Sequence, residues 1–117
     1  MTWYLTVRPD RTYSRSTPAG PLVEYLRSLP ELVQTGPQEF RNAAGFPWVH
    51  LCLARADSAG NYAIAAGDAP PQAINVLELV CGDGSESWYE SLAGRMAAFL
   101  CWEAVEEHSG WIIHPGE

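Results

Sequence analysis

The chain has 117 residues, 47% of them apolar, and it carries fourteen acidic against seven basic residues for a net charge of −7. That length suits one domain, and that apolar share closes a core, so neither a disordered chain nor a fold dependent on disulfides or metal is expected. All seven basic residues are Arg, so a Walker A or Schiff-base lysine is excluded, and the acidic field disfavours nucleic acid and anionic membranes as partners.

In chain order, Trp3, Leu5 and Val7 alternate with Thr2, Tyr4 and Thr6, which predicts a strand over 2–8. Pro9 to Gly20 reads as a loop. Leu22, Tyr25, Leu26 and Leu29 then follow Pro21 at helical spacing, and Pro30 stops that helix. Glu31–Thr35 and Gln38–Arg41 read as short extended pieces around the Gly36-Pro37 turn. Trp48–Ala56 is a strand, with Trp48, His50, Cys52 and Ala54 on one face and Val49, Leu51, Leu53 and Arg55 on the other. Residues 57–73 are loop-like around a brief strand at Tyr62–Ala65. Ile74–Cys81 is a second nearly continuous apolar strand, ended by Gly82-Asp83-Gly84.

Ser85 or Ser87 begins the second helix, where Ser87-Trp-Tyr-Glu90 matches a capping box. Trp88, Leu92, Met96 and Phe99 or Leu100 form its apolar stripe. A stop near Leu100 is followed by a hairpin of Trp102–Glu106 and Trp111–His114 about the His108-Ser109-Gly110 turn. The order β-α-β-(β)-β-β-α-β(β) predicts one α+β domain over 1–117. Its sheet is mostly antiparallel, with two helices packed on one face, a ferredoxin-like variant.

No residue set matches a known catalytic or cofactor pattern. Gly82-Asp83-Gly84 has Ser87 where a dinucleotide fingerprint needs its third glycine, and Asp83 and Glu86 would repel a pyrophosphate. His50 and Cys52 share a strand face, but two ligands do not make a tetrahedral metal site and no second His/Cys pair repeats the spacing. The reading is therefore of no cofactor and no metal, with His50 a hydrogen-bonded histidine. The three cysteines, without CxxC spacing, read as free thiols of a reducing cytosol. The start of the chain lacks a signal-peptide pattern, and no apolar run reaches transmembrane length. A cytoplasmic location is the expectation.

The charge is unevenly placed. Residues 83–117 hold seven of the fourteen acids and only Arg95 on the basic side. Trp102 and Trp111 lie within this segment, and interface centres favour Trp with charges at the rim. Asp83, Glu86, Glu90, Trp102, Glu103, Glu106, Glu107 and Trp111 are accordingly the expected partner-binding face, directed at a basic protein.

In size, acidity, cysteine usage and the stretch from Ala97 to Glu107, the chain resembles the small acidic immunity proteins of bacterial toxin systems. The resemblance implies a non-enzymatic inhibitor that binds a cognate toxin domain tightly, and it carries over no particular residue. Two other readings stand beside it. One is a small hydrolase using Cys/His or two carboxylates; the other is a homodimeric adaptor joined through sheet edges or exposed Trp.

Overall fold

The alternating segment at the start forms β1 (Trp3–Arg8), and its inward residues Leu5 and Val7 are fully buried. A computed structural model describes residues 2–61 and 72–115. The short β2 (Thr17–Pro18) leads into α1 (Ala19–Arg27), which buries Leu22 and Leu26 and ends just before Pro30. The segments flanking Gly36-Pro37 pair as β3 (Leu32–Gly36) and β4 (Glu39–Asn42), followed by β5 (Val49–Ala54).

The expected strand over 74–81 is interrupted. Ala73–Ile74 is β6, paired with β2 as a separate ribbon, and Val76–Cys81 is β7. The break is at Asn75, whose buried side chain replaces ladder partners. Its Oδ1 accepts from Ala56 N at 2.7 Å, and its Nδ2 donates to the carbonyls of Ala56 at 2.9 Å and Tyr13 at 3.3 Å. The expected strand at Tyr62–Ala65 lies outside the described residues.

The second helix is α2 (Glu86–Leu100), followed by β8 (Glu103–Glu106) and β9 (Ile112–His114). The expected capping box does not form. Ser87 lies inside the helix, and Ser85 at the N-cap makes no side-chain capping bond. Tyr89, one turn in, instead ties the turn before the helix to the start of β5. Its hydroxyl accepts from the N–H groups of Gly82 (3.2 Å) and Gly84 (3.4 Å) and donates to Trp48 O at 2.6 Å. At the other end Cys101 adopts the left-handed region, with φ 58°, and Trp102 N bonds back to Ala97 O at 2.9 Å.

Seven strands form one sheet in the order β3-β4-β5-β7-β1-β8-β9, every neighbouring pair antiparallel. The central order β5-β7-β1-β8, with a helix after β1 and after β7, is compatible with a β-α-β-β-α-β chain. The β3–β4 hairpin and β9 extend it at either edge. Both helices cover the same face. Leu5, Val7, Phe40, Leu51, Leu53, Leu77 and Leu79 meet Leu22 and Leu26 of α1 and Tyr89, Leu92 and Met96 of α2 in one core. Each such side chain contributes roughly 1.5–3 kcal/mol of burial. Tyr25 and Phe99 stack between the helices, with ring centroids 4.0 Å apart. Arg95 of α2 pairs with the buried carboxylate of Glu31.

Among the described residues, no helix lies on the opposite face of the sheet. Alternation puts Tyr4, Thr6 and Arg8 there, with Glu78, His50, Cys52, Glu39 and Arg41 from the neighbouring strands. Among the described residues, no helix is long and apolar enough to cross a membrane.

Candidate functional site

The first turn of α2 and the β8–β9 hairpin meet at one end of the sheet and enclose an open cleft of about 580 Å³. Trp3, Glu86, Glu90, Glu106, Ser109 and Trp111 line it. Glu86 and Glu90 come together because they are one helical turn apart. Glu106 arrives from the far end of the chain because β8 lies beside β1. Its Oε2 accepts from the backbone N–H of Ser109 at 2.9 Å, which holds the carboxylate in place at the hairpin turn. Trp111 is 71% exposed at the rim. Among the described residues, none of these three carboxylates is paired with an arginine.

The cleft thus brings together Glu86, Glu90, Glu106 and Trp111 from the expected binding face, and the other members are placed elsewhere. Trp102 is 3% exposed and belongs to the core. Glu103 turns to the helix-free face, where its Oε2 takes Arg8 Nε at 2.6 Å. Glu107 also leaves the cleft set, for it lies beside Glu78. The reason is strand periodicity: successive residues of β8 point to opposite sides, so Glu106 and its neighbours cannot share one face. Asp83 is exposed on the turn before α2. Trp3 and Trp88 pack partly against the core, whereas Trp48 is 44% exposed.

A second polar site lies on the helix-free face, in a small pocket of about 130 Å³. Thr6, Arg8, Tyr13, Glu78 and Glu107 line it. Glu78 Oε2 accepts from Thr6 Oγ1 at 2.9 Å, while Oε1 is buried with no hydrogen-bond donor. Burial, and then the Glu107 carboxyl beside it, push Glu78 up to about 8. Burial beside a second carboxyl favours the neutral form of Glu78.

His50 stands further along this face, half-buried rather than in the core. Its Nε2 lies 3.5 Å from Glu39 Oε1 on β4. The thiol of Cys81 is buried and pushed up to about 12 by that burial, as befits an inert core cysteine. Glu39 and Glu78 were not singled out from sequence. For Glu78 a signal existed: it is the lone charged residue within the apolar run Val76–Cys81. Glu39 becomes significant only through the β4–β5 register, which no single-strand pattern contains.

Comparison with protein-family models, with characterised proteins and with solved structures finds no match to this chain.

Proposed function

We propose that the protein is a binding domain that receives a basic segment of a protein partner in the cleft between α2 and the β8–β9 hairpin. The observation that carries this reading is the convergence of Glu86, Glu90 and Glu106, unpaired with arginine among the described residues, around the exposed ring of Trp111. Arginine or lysine side chains entering the cleft would meet carboxylates on both walls, with Trp3 and Trp111 available for stacking. The overall charge of −7 adds long-range attraction, which acts mainly on the association rate. The particular role we infer is that of an immunity protein, which neutralises a cognate bacterial toxin by occluding a basic surface. Its output is occupancy and not bond-breaking.

The test is to read the neighbouring gene for a toxin domain and to measure binding to that domain by surface plasmon resonance. Glu86→Gln/Glu90→Gln/Glu106→Gln should slow association at low salt by about tenfold or more and flatten its salt dependence. Unchanged rates would remove the cleft as the docking face. Absence of any binding to that domain would remove the immunity role.

One observation favours a second reading, acid–base hydrolysis at Glu78 and Glu107. A carboxyl whose pKa is pushed up to about 8 is still mostly protonated at neutral pH, as a general acid requires. The pocket of about 130 Å³, however, is below the roughly 300 Å³ at which small-molecule sites begin. Turnover of a panel of ester and glycoside substrates that vanished in Glu78→Gln would promote this reading over the first.

A further inference from the structure

We propose that Glu39, His50 and Cys52 bind one divalent transition-metal ion of the Zn²⁺ class on the helix-free face of the sheet. The three side chains come from two strands whose register places Glu39 directly opposite Cys52, with His50 two residues before Cys52 on the same face. A sheet ladder is rigid, so it holds three ligands in place better than a loop would. This supplies the third ligand that the His50–Cys52 spacing lacks by itself.

The separations suit a metal centre. His50 Nε2 is 3.5 Å from Glu39 Oε1 and 3.9 Å from Cys52 Sγ. All three ligand atoms lie within 4.8 Å of one another. Tetrahedral coordination with bonds of about 2.0–2.3 Å spaces ligand atoms by roughly 3.3–3.8 Å, so small side-chain rotations close the site. A thiolate with an imidazole selects zinc, cobalt or nickel over calcium or magnesium, whose preference is for oxygen alone. Three protein ligands leave the fourth position to water or a small ligand.

The surroundings also favour a cation. Cys52 is half-buried directly opposite Glu39, and the proton of its thiol leaves to solvent as the metal–sulfur bond forms. Without a metal the same atoms make an ion pair next to a packed thiol, and the experiment separates the two arrangements.

The full chain, freed of metal by chelation and desalting, is titrated with Co²⁺ and then Zn²⁺. The expected result is a thiolate-to-cobalt charge-transfer band that saturates at one equivalent and disappears as Zn²⁺ displaces the cobalt. Cys101→Ser, at the exposed thiol, should keep the band, and Cys52→Ser should lose it. Glu39→Gln, at a partly exposed position that leaves the core intact, should weaken Zn²⁺ binding at least about tenfold. No band in the unaltered protein, a band that survives Cys52→Ser, or unchanged affinity in Glu39→Gln would each overturn the site.

Discussion

The neutral carboxyl of Glu78 makes folding stability depend on pH in a direction opposite to that of most acids. Unfolded, the group titrates near 4.5; folded, it titrates near 8. Between those values the folded chain holds a proton that the unfolded chain has released. Stability is therefore full below 4.5 and falls as pH rises through 8. The slope is about 1.4 kcal/mol per pH unit, or roughly 3–5 kcal/mol across the window, for one carboxyl shifted this far. Glu78→Gln removes the titration while keeping an amide oxygen to accept from Thr6 and adding an N–H to face Glu107. Urea unfolding of both proteins, with chelator present, should give nearly equal stabilities near pH 4.5 and a variant that is more stable by several kcal/mol near pH 8. Taking the difference cancels every other titrating group. A difference that stays constant over the window would mean that Glu78 is ionised in the folded protein, and the reasoning about its burial would fail.

Three further substitutions probe the packing that positions the cleft. Gly84→Ala puts a Cβ 2.7 Å from Pro47 Cβ and 3.0 Å from Tyr89 Oη, so urea titration should show a loss of about 1–3 kcal/mol. Tyr89→Phe leaves the Trp48 carbonyl and the N–H groups of Gly82 and Gly84 without their partner, and a similar loss of about 1–3 kcal/mol is expected in the same assay. Cys101→Gly relieves a left-handed residue at an exposed helix end and should raise stability by up to about 1 kcal/mol; a decrease would refute the strain argument.

The main strands and helices were readable because their apolar residues recur at the period of the element they form. The stop of α2 near Leu100 was readable from the β-favouring Trp-Ile-Ile beyond it, although Cys101 bears no mark of its left-handed conformation. The β2–β6 ribbon was not readable, since two-residue strands leave no pattern and exist only because the segments meet. The acidic cluster misled in a specific way. Glu103, Glu106 and Glu107 look like one patch in sequence, but a strand distributes neighbouring residues to opposite faces. Reading β8 strictly by alternation would have set Trp102 and Ala104 inward, with Glu103 turned away. The Glu39–His50–Cys52 trio depended on a cross-strand register, which is set by the hairpins and the core together and not by any local stretch.

The clamp on the Tyr89 hydroxyl has a consequence for recognition. Tyr89 lies between Glu86 and Glu90, and three backbone bonds hold it where no side chain caps the helix. That turn cannot fray without breaking all three. In the docking proposed above, an incoming segment would meet a helix backbone already fixed beneath Glu86 and Glu90, so less conformational freedom would be lost on binding.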